Sequence, residues 1–347
     1  MYQILDKKRA MSFTLVKTYP RLWSLEAGRA MVVTDIHGDW DVYQRCRDRF
    51  VELQATGRVD CLILLGDLIH TESVAQLDKS VEIVLDVLAL QAQYGEAVLC
   101  LCGNHEMPHI YSISLARASR EYTPGFESAV SQSGCRPEVM AFFDSLPFYV
   151  RSRGGVSLAH AGASPAMLAS QNATRLFNWS HQELLRWAEQ SLAEGDLEAI
   201  RRGYLKLSKV ASYDQLAKHY LAVSGPEDSR YNHWLRGFLA TAAPSFQLLW
   251  SSLFTRCESE FGLAHYALCL DAMLKELSTG FSVQQVLVTG HMSTSKGHEI
   301  IAHRQLRLSS GCHAKPPKSG QYLIFDGARP AYTARDILAG LESIYES

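Results

Sequence analysis

Short, unbroken apolar runs alternate with amphipathic stretches over the first hundred residues of the chain. RAMVVT at 29–34, CLILL at 61–65 and AVLCL at 97–101 have the length and aliphatic content of buried strands. Between them, residues 40–54 and about 74–93 repeat their apolar positions at helical spacing. This β-α-β-α-β order predicts a parallel-type sheet with helices on its faces, and ligands then collect at the carboxyl ends of the strands. FYVRS (148–152) and VSLAH (156–160) predict two further strands around the turn Arg153-Gly154-Gly155. From Pro165 to about Leu249 the pattern changes to charged, amphipathic helices, as in HQELLRWAEQSLAEGDLEAIRRGYLKL. The stretch at about 166–249 therefore reads as a helical insertion within a single domain of 1–347. After it come a helix at about 261–277, a strand at 285–288, a hairpin at 297–309, a strand at 321–326 and a last helix at about 334–345.

Composition narrows the class without naming a chemistry. With 347 residues, 47% of them apolar and 20% charged, the chain is ordinary for a globular protein with a substantial core. Its formal net charge of -2 and the lack of a long Lys/Arg block exclude electrostatic capture of nucleic acid. No run of eighteen apolar residues predicts a membrane span, and the N-terminal stretch has no signal-like apolar core. The eight cysteines are scattered without a C-x-x-C spacing, which predicts free thiols in a reducing compartment and hence a cytoplasmic location. Cys100 and Cys102, two apart in a strand-like run, should face the same side. Asn172 and Asn178 match the glycosylation pattern by chance.

The chemistry lies where the strands stop. Five predicted strands run into Asp, His or Asn, mostly beside glycine: Asp35-Ile36-His37-Gly38-Asp39, Gly66-Asp67, Gly103-Asn104-His105-Glu106, His160-Ala161-Gly162 and Gly290-His291. One such end is ordinary turn chemistry. Five together predict a site at the carboxyl edge of one sheet, with Asp67 as a metal ligand. Carboxylate and imidazole donors suit manganese, iron or zinc. The two oxygens of Asp67 can bridge two ions, and Asn104 adds a neutral oxygen that limits the negative charge. Two ions about 3.5–4 Å apart lower the pKa of a shared water and neutralise an attacked phosphoryl group.

These motifs resemble those of the calcineurin-like metallophosphoesterase superfamily and, within it, the phosphoprotein phosphatase branch. DSLPFYV (144–150), HAGASP (160–165) and LSSGCHAKPPKSGQYLIFD (308–326) extend the resemblance, which spans about 29–326 and leaves out the insertion. It implies an α/β fold, a four-layer α/β/β/α sandwich carrying the helical insertion. It also implies a cofactor of two divalent ions, manganese first, with iron or zinc as alternatives. Asp35, His37 and Asp67 are implied as ligands of one ion, and Asp67, Asn104, His160 and His291 as ligands of the other. A hydroxide activated by both metals would attack phosphorus in line. His105 is implied as proton donor to the leaving oxygen, which agrees with its place directly after a ligand and with imidazole chemistry near neutral pH. Arg256 is the positional candidate for an arginine that grips phosphate with its planar fork; it also reads as an exposed residue at a helix end.

The chain departs from the family pattern at one place that matters. Where the family continues Gly-Asp-x-x-Asp-Arg, residues 66–71 are Gly66-Asp67-Leu68-Ile69-His70-Thr71. His70 and Thr71 thus replace the acid that orients the catalytic histidine and the arginine that grips phosphate. Glu106 is expected to bind backbone rather than metal, and Trp250 to be core. His313 lies in a loop that resembles one lining the family's site. His109, His265, His298 and His303 read as surface or structural. The implied activity is hydrolysis of phosphate monoesters, with phosphoserine or phosphothreonine as the first expected substrate. A nucleotide-directed hydrolase, such as one cleaving diadenosine tetraphosphate, would use the same ligands, with the insertion walling off a small-molecule pocket. A third reading is a non-catalytic metal-binding scaffold for a phosphorylated partner. The expected partner is a phosphorylated protein or small molecule, with neither nucleic acid nor membrane.

Overall fold

The alternation of side chains along each strand decides what the strand joins. In Arg29–Val33 and Cys61–Leu64, the odd residues Met31 and Val33 and the even residues Leu62 and Leu64 face a helix-covered core with Val42, Tyr43, Phe50, Val84 and Val87. The alternate residues Ala30, Val32 and Ile63 face a second core, shared with Val150, Leu158, Val288 and Leu306 from another sheet. Both faces are therefore buried, as the unbroken apolar runs require. The computed structural model describes residues 13–73, 76–209, 211–254 and 256–345.

The first sheet has five strands in the spatial order Leu341–Ser343, Gln321–Asp326, Arg29–Val33, Cys61–Leu64, Val98–Cys100. Its last three strands are parallel, with Val33 opposite Leu64 and Leu64 opposite Cys100. Helices Trp40–Ala55 and Ser80–Tyr94 connect them. The second sheet has seven strands in the order Thr14–Tyr19, Leu22–Ala27, Tyr149–Ser152, Val156–Ala159, Val286–Thr289, Gln305–Leu308, His298–Ile301. Its outer face is covered by helix Leu263–Ser278, whose Tyr266, Cys269, Leu270, Met273 and Leu274 are buried. The layers are helices, sheet, sheet, helices. Helices Ser170–Phe177, His181–Glu194, Leu197–Ser208, Tyr213–Leu221, His233–Ala242 and Pro244–Leu253 follow the second sheet's central hairpin. Some of their residues, such as Leu176, Leu185 and Leu249, join the large core, while Tyr213, Leu216, Leu221 and Leu235 form a small core of their own. Among the described residues, no helix is long and apolar enough to cross a membrane.

Several expectations are corrected. The five chemistry-bearing strand ends do not share one sheet: Asp35, Asp67 and Asn104 leave the first, and His160 and His291 leave the second. The second helix starts at Ser80 rather than near 74, because Asp78 takes up both the backbone amide and the hydroxyl of Ser80 and begins the turn there; residues 74 and 75 lie outside the described residues. The helix expected at about 261–277 is present as Leu263–Ser278; a short helix, Cys257–Phe261, precedes it and is separated from it by Gly262 at φ 82°. The last helix is a 3-10 turn, Ala334–Gly340, followed by the edge strand Leu341–Ser343. Gly340 is pressed so closely on the carbonyl of Ile324 that a side chain would not fit, and the chain then pairs along Gln321–Asp326 instead of coiling on. Cys100 and Cys102 do face the same core.

Candidate metal centre

The residues that end the strands turn into one cleft, and the backbone bends unusually to do it. Asp35, His37, Asp67, His70 and His291 have φ of 49°, 50°, 53°, 70° and 68°. That left-handed conformation is uncommon for residues with a side chain and occurs mostly at Asn, Asp and His. Glu106 fixes the bends after strands Cys61–Leu64 and Val98–Cys100: its carboxylate accepts the amides of Asp67 (3.0 Å), Leu68 (2.8 Å) and Gly103 (2.9 Å). It binds backbone, as expected. A side chain at Gly103 would collide with Asp67, and one at Gly290 with the carboxylate of Asp35. Glycine is needed at both because the strand ends touch there.

Asp67 lies between two groups of donors. Its Oδ2 is 3.8 Å from His37 Nε2 on one side and 3.4 Å from His160 Nε2 on the other. Asp35 Oδ1 is 3.9 Å from the same His37 nitrogen. Asn104 Oδ1, His160 Nε2 and His291 Nδ1 converge to within 2.9–3.1 Å of one another. All six residues read from the sequence as ligands are thus brought together.

The donor set fits cations. His160 Nδ1 lies 2.8 Å from the carbonyl of Leu65, which can only accept, so this nitrogen carries the proton. Its Nε2 then presents a lone pair to Asp67, Asn104 and His291, the arrangement of a metal-ligating histidine. Both ring nitrogens of His37 are buried without a hydrogen-bond partner, a cost of about 1–3 kcal/mol unless something occupies them. Burial, reinforced by neighbouring histidines, lowers His37 to about 4 and His291 to about 3, so both are neutral donors at physiological pH. Burial also pushes the Asp67 carboxyl well above its usual range, with the Glu106 and Asp35 carboxylates adding to it. An ionised Asp67, buried between the neutral imidazoles of His37 and His291, calls for positive charge from outside the chain.

The cleft is a cavity of about 460 Å³ with Asp67, Asn104, His105 and His291 in its lining and Tyr122, Trp250, Phe254, Arg117 and Arg256 further along the wall. His105 Nε2 is 4.0 Å from Asp67 Oδ2, and the His105 amide donates to Asp67 Oδ1 at 2.9 Å. Arg256 is exposed at the start of a short helix and lines this wall. Trp250 is only partly buried and lines the cavity rather than the core alone. His313 lies 3.4 Å from Asp35 Oδ1 and 3.6 Å from Glu72. Although burial opposes it, those two carboxylates push His313 up to about 10. Cys312, close to His37 and His313, and Glu72, which pairs with Arg117 at 2.8 Å, were not anticipated. Cys312 directly precedes His313 in the loop singled out from the sequence, whereas nothing in the local sequence marks Glu72.

His70 takes a definite place. Its Nδ1 is 3.1 Å from His105 Nδ1, and its Nε2 is 3.0 Å from His109 Nε2. Thr71 is buried, and its hydroxyl accepts the amide of Ser73 at 3.2 Å, so it folds the loop locally.

The family model for calcineurin-like phosphoesterases matches residues 28–247. Among solved structures, a cold-active protein-tyrosine phosphatase of a psychrophilic Shewanella species is 16% identical, with a TM-score of 0.41 and coverage of 89% of this chain and 78% of that one. A protein serine/threonine phosphatase from Saccharomyces cerevisiae is 14% identical, with a TM-score of 0.43 and coverage of 85% and 72%. A metallophosphoesterase from Sphaerobacter thermophilus is 13% identical, with a TM-score of 0.31 and coverage of 90% and 92%. No curated protein matches the sequence.

Proposed function

The chain belongs to the calcineurin-like phosphoesterase family, and on that premise we propose that it is a phosphomonoesterase using two divalent ions, with phosphoserine or phosphothreonine as substrate. The observation that carries this reading is Asp67, one buried carboxylate within reach of His37 on one side and His160 on the other. That position suits a group shared between two cations. Manganese is the proposed ion, and iron or zinc would accept the same donors. When bound, the ions would supply a water of lowered pKa and positive charge against the phosphoryl oxygens.

The remaining steps belong to the chain. His105 Nε2 faces Asp67 and the cavity, where it holds a proton and releases it to the leaving oxygen of the ester. Asn104 contributes a neutral oxygen beside His160 and His291. Arg256 on the cavity wall draws in the anionic group. An exposed charged contact of this kind is worth about 1 kcal/mol. Arg256→Ala should therefore raise KM roughly fivefold and leave kcat nearly unchanged, as steady-state kinetics would show. A fall in kcat alone would remove Arg256 from substrate binding.

Tyr122, Trp250 and Phe254 on the same wall favour a second reading, a nucleotide-directed hydrolase, since aromatic faces stack bases. Phosphate release from manganese-loaded protein separates the two. Turnover of a phosphothreonine peptide supports the first reading. Cleavage of diadenosine tetraphosphate alone supports the second. Turnover of neither, with metal bound, overturns both.

A further inference from the structure

His105 is the near end of a buried chain of hydrogen bonds. His105 Nδ1 meets His70 Nδ1 at 3.1 Å, His70 Nε2 meets His109 Nε2 at 3.0 Å, and His109 Nδ1 meets Glu127 Oε1 at 2.7 Å. The other oxygen of Glu127 accepts from Arg136 at 2.9 Å. His70, His105, His109 and Glu127 are all buried. Aromatic rings hold the two middle histidines in place: His70 stacks on Tyr122 at 5.3 Å, and His109 packs against Phe126 at 4.4 Å. The His70 amide donates to Ser80 Oγ at 2.7 Å.

The far end sets the direction of the chain. An ionised carboxylate only accepts. Burial raises Glu127, but His109 and Arg136 outweigh it and hold the carboxyl below its usual range. His109 therefore donates from Nδ1, and in a neutral ring its Nε2 must accept. His70 then donates from Nε2 and accepts at Nδ1. His105 is left to donate from Nδ1, which turns Nε2 toward Asp67 and the cavity.

We propose that His70, His109 and Glu127 are positioning residues that fix the tautomer and orientation of His105, so that its Nε2 is the atom that exchanges a proton with the leaving oxygen. This rests on the phosphoesterase reading above. As the bond from phosphorus to the leaving oxygen breaks, the Nε2 proton passes to that oxygen and His105 keeps its Nδ1 proton on His70. Losing the Nε2 proton leaves His105 in the neutral Nδ1 tautomer that the chain fixes.

The test uses the metal-loaded full chain and two esters. Phenyl phosphate has a basic leaving oxygen that needs a proton, and dinitrophenyl phosphate has one that does not. Glu127→Gln keeps the shape and should lower kcat for phenyl phosphate about tenfold or more, the usual cost of removing the partner of a functional histidine. For dinitrophenyl phosphate the loss should stay below roughly threefold, with KM within about twofold for both. His70→Asp places a carboxylate where it can accept the His105 Nδ1 proton directly. In that background Glu127→Gln should have no further effect on kcat. Equal losses on both esters, or a Glu127→Gln loss that persists beside His70→Asp, would overturn the proposal. Nitrogen NMR of the histidine rings in the metal-free wild type gives a second readout. Protonation of His105 and His109 at Nδ1 and of His70 at Nε2 supports the chain, and protonation of His105 at Nε2 overturns it. A wild type that turns over neither these esters nor the phosphothreonine peptide and diadenosine tetraphosphate refutes the phosphoesterase reading, and the tautomers still decide the chain.

Discussion

Asp67→Asn should remove at least three orders of magnitude of activity while making the metal-free protein more stable. The side chain keeps its shape, and its oxygen can still accept the His105 amide, which the native Oδ1 receives at 2.9 Å. The negative charge shared between the two donor groups is lost. Metal ions contribute several kcal/mol of charge stabilisation, and about 4 kcal/mol corresponds to roughly a thousandfold in rate. His37→Ala removes a donor from one group only and should cost less. Equal losses in two folded variants would refute the shared role of Asp67. The stability change has the opposite sign. In the folded protein the Asp67 carboxyl is pushed up by burial, then by Glu106 and Asp35, so its ionised form opposes folding at pH values above the usual carboxylate range. A neutral amide relieves that opposition. Thermal unfolding of metal-stripped wild type and variant should show the variant melting higher, and the gain should vanish as the pH falls and Asp67 protonates. An inactive variant that also melts lower would be a folding defect instead.

The second large effect belongs to His105. His105→Ala should lower kcat by roughly 10²–10⁴, the range of a positioned general acid, with metal content unchanged. His105 Nε2 and His37 Nε2 both lie near Asp67 Oδ2, at 4.0 and 3.8 Å. The geometry alone therefore admits His105 as a third donor to an ion. Elemental analysis decides between the roles. Unchanged metal with slow turnover marks a proton donor, and metal lost in step with activity marks a ligand.

The strand-end residues were legible in the sequence because the apolar runs before them are unbroken and the residues after them are all of ligand type. The division of those ends between two sheets was not legible. VSLA and VLVT read like CLIL, and nothing within an apolar run says which sheet it joins. Strand Thr14–Tyr19 passed unread because Leu15 is its only fully buried residue. The last segment has helical spacing, but pairing with Gln321–Asp326 outweighed that local preference. His109 and Glu127 gave no signal at all. They lie on two short helices, and each becomes informative only through a partner 39 or 18 residues away. The break at His70-Thr71 was visible as an absence, and only the packing shows what fills it.

The bends at Asp35, His37, Asp67, His70 and His291 carry a cost beyond chemistry. Each holds a residue with a side chain where the backbone prefers none, at on the order of 1 kcal/mol or more apiece. A glycine at any of them would relax the chain and erase the donor together. Natural variation toward a sturdier fold at these positions therefore runs through inactive proteins. Durability and function select against each other at this cleft, and engineering for heat resistance should look to the cores between the layers instead.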